Sequence, residues 1–311
     1  MRAEAAPEGL RHVVLFHRGI ADYRSAIASF VRTGLASREP VLLAVPRPAI
    51  TLPEWPAGAS RLLTVTDMAD LGRNPARLIS ALRAFIERCG GRRARIVSEW
   101  IWPGRPAAEA CEAARADALV DLALSGLAAT LMCPFNAAGL PGPVLADAAR
   151  AHRWRLDDAT VVRCRDFGGP DTAPAAGRLP LPSPPAGAGC VSYATDLRPL
   201  RAMVSKACHD AGMPVLRATD MTLAVSELAA NTLRHTAAGG TAHLWRAGGE
   251  LVCQIADSGH IADPLAGSVR PAPGHAGGQG LWLVNQVCDL VEIRTGPAGT
   301  VIRLHMRIQA G

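Results

Sequence analysis

The segment at residues 167–189 most constrains how this chain of 311 residues can fold. It reads FGGPDTAPAAGRLPLPSPPAGAG, and proline and glycine at this density sustain neither a helix nor a central strand. We therefore predict an extended, semi-rigid linker there. The linker would separate a domain at residues 10–166 from a second domain at residues 190–311, and both lie within the usual range of domain sizes.

The first domain alternates short apolar runs with segments of helical periodicity. The apolar runs lie at residues 12–16, 41–45, 62–65, 94–97 and 130–133, and the helical patterns at residues 23–35, 74–90, 106–126 and 144–152. Apolar runs that are separated by helices are typical of a largely parallel sheet covered on both faces. We predict a three-layer α/β domain. No P-loop motif follows the first run, so hydrolysis of a nucleotide in the P-loop manner is not expected.

The second domain begins with two helical patterns and continues with strands. Helices are predicted from Asp196 to a stop at Gly212 and over residues 219–235, and strands over residues 242–246, 251–256, 291–294 and 300–308. The last strand alternates cleanly between apolar and charged residues, as a half-buried antiparallel strand does. Helices on one face of a mainly antiparallel sheet predict an α+β sandwich.

Charge and hydropathy argue against two classes of partner, and only the basic charge supports a nucleic-acid-binding regulator. The formal net charge is +6, but the arginines are scattered, which favours a solvated surface over a nucleic-acid interface. Apolar runs such as residues 41–45 are too short to span a bilayer, and no basic and apolar signal segment opens the chain. We expect a cytoplasmic protein that binds neither a membrane nor nucleic acid.

The eight cysteines follow neither a metal-binding nor a disulfide pattern. None of them belongs to a C-x-x-C pair, and most lie in apolar periodic stretches. Without a secretory signal, an even number of cysteines does not argue for disulfides. We therefore predict free, buried thiols and no zinc site.

The helical pattern at residues 219–235, TDMTLAVSELAANTLRH, places polar side chains one turn apart. Glu227 and Asn231 fall on the same side of the helix, because residues four apart are neighbours there. Asn231 offers a neutral oxygen suited to Mg²⁺, and Glu227 can accept a proton. Solvated surface residues give the same pattern, so this pair alone does not identify a site.

Three further motifs follow in chain order. Asp257 and Gly259 come at the end of an apolar strand, where a ligand can approach the backbone closely. A Pro/Gly-rich stretch at residues 260–276 leads into GGQG at residues 277–280, which opens an apolar helix. Glycines at the start of a helix expose backbone N–H groups and the positive end of the helix dipole to anions. Finally, Thr300 places a hydroxyl at the start of the last strand.

The order of these motifs resembles the N, G1, G2 and G3 boxes of the GHKL family of ATPases, whose ATP-binding domain has the Bergerat fold. Within that family, SELAANTLRH, DSG and GGQGLWLVNQVCD are similar to the RsbW/SpoIIAB-type anti-sigma-factor serine/threonine kinases. The resemblance covers residues 194–308. It implies an α+β sandwich that uses ATP and Mg²⁺.

The resemblance also implies a role for each motif residue. Asn231 would hold Mg²⁺ against the phosphates, Asp257 would bond the adenine amino group, and Glu227 would act as base for the hydroxyl of a partner's serine or threonine. The other ATP-binding residues would be Gly259, Gly278, Gly280, Leu281 and Thr300, under a lid formed by residues 260–276. Arg234 and His235 would be phosphate neighbours or a surface pair.

Three functions remain open for the whole chain. The first is a regulatory kinase that phosphorylates a STAS-type anti-anti-sigma protein, sequesters a sigma factor, or does both, with a homodimer left open. The second is a switch without catalysis, in which ATP holds a conformation that binds a partner. The third, a sensor-histidine-kinase-like protein, is disfavoured because the proline-rich linker occupies the place of a helix pair carrying a phospho-accepting histidine.

Motifs of the first domain resemble the MEDS sensory domain over residues 12–152. They are LFH at residues 15–17, GLASREPVLLAVP at 34–46, DMADLGRNPAR at 67–77, WPGR at 102–105, DALVDLAL at 117–124 and LMCPFN at 131–136. This resemblance implies a RecA/KaiC-like α/β fold that senses a small ligand.

The predicted sensory site follows from the position of polar and aromatic residues along the strands. Open α/β sheets bind ligands at the carboxyl ends of their strands. The candidate residues there are His17, Trp100, Trp102 and Cys133. Packing in a core explains the tryptophans equally well, and a buried structural thiol is the ordinary explanation of Cys133.

Overall fold

The computed structural model divides the chain into two compact units, Met1–Gly177 and Arg178–Gly311. It describes residues 9–46, 61–157, 160–169, 177, 179–271 and 278–309. The predicted linker at residues 167–189 lies partly outside the described residues. Its later part belongs to the second unit, where Arg294 and Arg303 donate to the backbone carbonyls of Leu179 and Pro182. This part of the proline-rich segment is therefore attached to the sheet that follows it.

The first unit is built on a seven-stranded sheet. Its elements are β1 Arg11–His17, α1 Ile20–Ala36, β2 Val41–Val45, β3 Leu63–Asp67, α2 Met68–Leu71, α3 Ala76–Arg88, β4 Ala94–Ser98, α4 Ala107–Ala118, α5 Val120–Ala123, β5 Ala129–Asn136, α6 Gly142–Ala151, β6 Trp154–Asp157 and β7 Thr160–Arg163. The strand order is β3-β2-β4-β5-β1-β6-β7. Every neighbouring pair is parallel except β6 with β7, so the prediction of a largely parallel sheet is confirmed.

Helices cover both faces of this sheet. On one face, Ile27 of α1 packs in a buried cluster with Leu43 of β2 and other apolar strand residues. On the other face, Phe135 of β5 lies beside Ala114 of α4 and Ala148 of α6. Met132 of β5 belongs to the first layer and Phe135 of the same strand to the second. Burial of both sides of a strand explains why these strands are unbroken apolar runs in the sequence.

Two features of the first unit differ from the sequence prediction. The single helix predicted at residues 106–126 is two helices, because the Leu119 N–H bonds the Ala116 carbonyl three residues back, which ends α4. The hairpin of β6 and β7 was not predicted. Its residues are half-buried or exposed, and it extends the sheet by pairing with β1, a long-range contact that has no local signal.

In the residues that the structure describes, the second unit has a five-stranded sheet and three helices. Its elements are β8 Gly189–Tyr193, α7 Arg198–Asp210, α8 Val215–His235, β9 Gly240–Ala247, β10 Glu250–Asp257, α9 Gln279–Val287, β11 Leu290–Gly296 and β12 Gly299–Arg307. The order is β11-β12-β10-β9-β8 and all pairs are antiparallel. The predicted α+β sandwich is confirmed. The edge strand β8 was not predicted, because its sequence, GCVSY, adjoins the proline-rich segment and is largely exposed.

The helices pack on one face of this sheet only. Met221 and Leu228 of α8 join Cys253 and Leu304 of the sheet in one buried cluster. Asp196, the predicted helix cap, accepts a hydrogen bond from the backbone N–H of Arg198, but Leu197 is the N-cap residue, so Asp196 lies one residue before the cap.

The opposite face of the same sheet is polar. His305 lies between two carboxylates, with Nδ1 3.2 Å from Glu250 Oε2 and Nε2 2.9 Å from Glu292 Oε1. Burial alone would lower the pKa of His305, but its hydrogen bonds to Glu250 and Glu292 raise it to about 9. The imidazolium is therefore the form that this face of the sheet stabilises.

All eight cysteines are free, and five of them are buried. In the described part of the chain, none of the helices combines the length and the apolar character that a membrane crossing needs.

Candidate functional site

A cavity of about 690 Å³ opens in the second unit between α8, the carboxyl end of β10 and the start of α9. Its volume suits a ligand of nucleotide size. It is lined by each of the eight residues that the motifs of this domain predicted, namely Glu227, Asn231, Asp257, Gly259, Gly278, Gly280, Leu281 and Thr300. Residues from four elements (α8, β10, α9 and β12) and two loops thus meet at one place.

Asp257, the last residue of β10, is held by two hydrogen-bond donors. Its Oδ2 accepts from the Thr232 hydroxyl at 2.6 Å and its Oδ1 accepts from the Gly259 N–H at 2.8 Å. A Cβ at residue 259 would lie 3.0 Å from Asp257 Oδ1, so glycine lets the backbone turn closely around the carboxylate. The carboxylate is fixed in the cavity wall and keeps lone pairs for a further donor.

The start of α9 supplies backbone donors to the opposite part of the cavity. Gly278 is the N-cap of this helix, with a φ of 77° in the left-handed region that favours glycine. Glycine has no side chain with which to cap the helix, so the first N–H groups of α9 are available to a ligand. Together with the positive end of the helix dipole, they form a site suited to an anion.

Helix α8 presents its polar residues to α9 as predicted. A Cβ on Gly280 would lie 2.7 Å from Glu227 Oε2 and 3.4 Å from Asn231 Nδ2, so the backbone of α9 lies directly against both side chains. Asn231 Oδ1 accepts a hydrogen bond of 2.8 Å from Arg234, which is exposed. The carboxylate and the carboxamide therefore lie one helical turn apart at the same wall of the cavity.

The carboxyl end of the sheet in the first unit gathers a different group of residues. The rings of His17 and Tyr23 lie with centroids 4.8 Å apart, and the Tyr23 hydroxyl donates to Glu99 Oε2 at 2.6 Å. Burial raises the pKa of Glu99 to about 7. Trp100 follows this residue and is fully buried, so His17 and Trp100 do lie at the predicted end of the sheet.

Of the other two predicted sensory residues, Trp102 lies in the same loop as Trp100, whereas Cys133 lies further back in the sheet. The guanidinium of Arg105 lies 4.5 Å from the centre of the Trp102 ring. Cys133 is paired in register with Val14, whereas His17 is paired with Asn136. Cys133 thus lies three residues further back along the strands, and its sulfur is 3.3 Å from His12 Nε2.

Comparisons with known families agree with this division of the chain. Residues 11–153 match the family model of the methanogen/methylotroph, DcmR sensory domain, MEDS. Residues 190–306 match the model of the histidine kinase-like ATPase domain. The chain joins a MEDS domain to a histidine kinase-like ATPase domain.

Several solved structures are also similar to part of this chain. The chain is similar to the RsbU and RsbW domains of Rv1364c from Mycobacterium tuberculosis, with 20% sequence identity and a TM-score of 0.31. The match covers 41% of this chain and 34% of that chain. None of the curated proteins matches this sequence.

The sequence did not identify several residues that order the cavity of the ATPase domain. Helical periodicity places Thr232 on the same side of α8 as Leu228 and Val225, which are apolar, yet its hydroxyl contacts Asp257 and lies 3.2 Å from the Tyr193 hydroxyl. Thr300 donates to the Gly259 carbonyl at 2.8 Å and is 2.8 Å from Thr295. Only the position of Thr232 next to Asn231 in the helical motif could have pointed to it.

The predicted lid of the ATPase domain, residues 260–276, is described up to residue 271. Its start is held by a hydrogen bond of 2.9 Å from the Ile261 N–H to Thr295. Further along, Asn285 of α9 donates to the Gly267 carbonyl at 3.0 Å. The Arg270 guanidinium lies 5.5 Å from the centre of the Trp282 ring. The described part of this segment thus contacts both the sheet and α9.

Proposed function

We propose that this chain is an ATP-dependent regulatory protein kinase of the anti-sigma-factor type, controlled by a small ligand of its MEDS domain. The observation that carries the proposal is the meeting of Glu227, Asn231 and Asp257 with the glycine-rich start of α9 in one cavity. By the resemblance to RsbW/SpoIIAB-type kinases, the acceptor would be a serine or threonine of a STAS-type partner. A sigma factor would be the second partner.

The residues around the cavity fit ATP. Asp257 keeps acceptor capacity beyond its bonds to Thr232 and Gly259, and the amino group of adenine is a donor that matches it. The uncapped N–H groups at the start of α9 suit phosphates. A side chain at residue 280 would collide with Glu227, so glycine keeps this end open for the backbone to contact an anion.

Asn231 fits Mg²⁺ on one condition. Its carboxamide oxygen is of the type that Mg²⁺ accepts together with phosphate oxygens, but the same oxygen receives a hydrogen bond from Arg234. Because Arg234 is exposed, it can rotate away at little cost. We propose that Arg234 then turns to the phosphates, where a cation is favourable.

The catalytic roles follow from the same geometry. ATP would supply the phosphoryl group that is transferred. Glu227 would orient the partner's hydroxyl and accept its proton, because its carboxylate lies against the first turn of α9. The N–H groups of that turn would stabilise negative charge on the transferring group, which is the main catalytic contribution in phosphoryl transfer.

Substitution of Glu227 tests catalysis separately from binding. We expect Glu227→Gln to keep ATP binding and to abolish transfer of radiolabelled phosphate to a STAS-type partner. Asp220→Asn, on the same helix but outside the cavity lining, is the matched control and should behave as wild type. If Glu227→Gln transferred phosphate as well as wild type does, Glu227 would not be the catalytic base.

The alternative is a switch without catalysis, in which ATP only holds a partner-binding conformation. In that case the wild-type chain binds Mg-ATP and changes its affinity for the partner, but transfers no phosphate. Absence of any effect of Mg-ATP on Trp282 fluorescence or on thermal stability would contradict both functions. Asn231→Ala should remove the magnesium dependence of binding in either case.

A further inference from the structure

Four side chains with metal-binding atoms meet inside the MEDS domain. They are His12 of β1, Asp117 of α4, Cys133 of β5 and His152, which follows α6. Each is at most 2% exposed, and one potential ligand atom of each lies within 4.8 Å of those of the other three. The four come from separate elements, so no local spacing in the sequence predicts them.

The distances between these atoms match the edges of a tetrahedral site. His12 Nε2 is 3.3 Å from Asp117 Oδ1 and 3.3 Å from Cys133 Sγ, and His152 Nε2 is 3.7 Å from Asp117 Oδ1. Zn–N and Zn–O bonds of about 2.0–2.2 Å and Zn–S bonds of about 2.3 Å give tetrahedral edges of roughly 3.3–3.8 Å. Three of the edges are therefore already at the required length.

The hydrogen bonding of His152 leaves a lone pair directed at the cluster. Its Nδ1 is 2.8 Å from the Ala148 carbonyl oxygen, which can only accept, so Nδ1 carries the proton. Nε2 of the neutral ring is then an acceptor that faces another acceptor, Asp117 Oδ1. Among the described residues, neither of these two buried atoms has a hydrogen-bond partner. Two buried acceptors this close repel each other unless a positive charge lies beside them. Either a protonated His12, whose Nε2 is 3.3 Å from Asp117 Oδ1, or a bound metal ion would supply that charge.

On its outer side, His12 faces a carboxylate at a distance slightly longer than a hydrogen bond. Its Nδ1 is 3.6 Å from Asp121 Oδ2, on the side of the ring away from Cys133 and Asp117. If Asp121 moved closer by about 0.5 Å, it would accept a hydrogen bond from Nδ1, which would orient the imidazole and increase the basicity of the ligating nitrogen. For His152, the Ala148 carbonyl has the same role.

We propose that His12 Nε2, Asp117 Oδ1, Cys133 Sγ and His152 Nε2 bind a divalent ion of the Zn²⁺ type in tetrahedral geometry. Two imidazoles, one thiolate and one carboxylate are ligands that Zn²⁺ accepts. With four protein ligands the site is closed to substrate, which is typical of a structural zinc site. The ion would tie β1 and β5 to the helices on one face of the sheet.

Binding requires a small change in the side chains. The two histidine rings lie with centroids 3.8 Å apart, and two imidazoles that share a tetrahedral ion are separated by about 5 Å. The rings must therefore move apart by roughly 1 Å. This inference does not depend on the proposed kinase activity, since none of the four residues lines the cavity of the ATPase domain.

The test is a titration of the full chain with Co²⁺ in the absence of nucleotide. We expect about one Co²⁺ per chain, with visible d–d bands of tetrahedral geometry and a thiolate-to-cobalt charge-transfer band. One equivalent of Zn²⁺ should abolish both. Cys133→Ala should lose the charge-transfer band, whereas Cys89→Ala, a buried thiol of the same unit outside the cluster, should keep it.

Two results would overturn the proposal. The first is a wild-type chain that develops no thiolate band with Co²⁺, a result that does not depend on whether any variant folds. The second is a band that survives in Cys133→Ala, which would place the cobalt on another cysteine such as the exposed Cys190. Asp117→Asn provides a further check, because it keeps the shape of the side chain and should weaken Co²⁺ binding at least tenfold.

Discussion

Replacement of Asp257 by asparagine tests the assignment of the adenine end of the cavity. In the structure both carboxylate oxygens already accept, one from the Thr232 hydroxyl at 2.6 Å and one from the Gly259 N–H at 2.8 Å. An asparagine has one oxygen and one NH₂ group. Its oxygen must stay on Gly259, because an N–H group cannot accept, so the NH₂ group turns toward Thr232.

The fold should tolerate this arrangement. The Thr232 hydroxyl can accept from the new NH₂ group and donate to the Leu228 carbonyl, which is already 3.3 Å away. We therefore expect Asp257→Asn to change the free energy of unfolding by only about 1 kcal/mol.

The adenine contact should not survive the change. The adenine amino group would meet an NH₂ group in place of a carboxylate oxygen. Loss of a hydrogen bond to a charged acceptor costs about 1.5–3 kcal/mol, which weakens ATP binding roughly 10- to 150-fold.

Calorimetric titration of the full chain with ATP and with GTP measures this effect. GTP carries a carbonyl where ATP carries the amino group, so wild type should prefer ATP and Asp257→Asn should lose that preference. Asp210→Asn, an exposed residue on α7 that pairs with Lys206, is the control. An Asp257→Asn variant that binds ATP within twofold of wild type and keeps its preference over GTP would refute the assignment.

Three further predictions concern the ATPase domain. Gly299 has a φ of 122°, and a Cβ there would lie 2.3 Å from the backbone oxygen of Asp257. Gly299→Ala should therefore destabilise the fold by at least about 2 kcal/mol in chemical denaturation, whereas Gly296→Ala, in open space, should not. Thr232→Val should weaken ATP binding roughly fivefold, and unchanged calorimetry would contradict a role in orienting the carboxylate. The folded pKa of His305, about 9, lies above its ordinary value of 6.5. Its stabilisation of about 2–3 kcal/mol should be complete below pH 6.5 and lost as the pH rises through 9. His305→Gln should remove this pH dependence of unfolding, and an unchanged slope would contradict it.

The sequence by itself determined the classes of the two domains. In the first domain, unbroken apolar runs separated by helices indicate a parallel sheet. In the second domain, the clean alternation of the last strand indicates an antiparallel sheet. These patterns depend on which face of each element is buried, a property that neighbouring residues report locally. The motifs around Glu227, Asp257 and Gly280 likewise identified residues that line one cavity, because each motif combines side-chain and backbone requirements within a few residues.

Only the tertiary structure decided which distant residues meet. In the sequence, Thr232 is indistinguishable from the other residues on the buried face of its helix. Its hydroxyl bonds Asp257 because β10 ends opposite α8 in the folded domain. Strand β8 and the β6–β7 hairpin are short and partly exposed, and they form by pairing with neighbours that are fixed elsewhere.

The cluster in the MEDS domain is the clearest example of contacts that the sequence alone did not predict. The spacing of the cysteines argued against a zinc site, since no two ligands are close in sequence. The four side chains at residues 12, 117, 133 and 152 come together because parallel strand pairing brings β1 next to β5 and helices pack over that pair. Periodicity predicts that each of these positions is buried, but the contacts among them depend on the packing of the complete sheet.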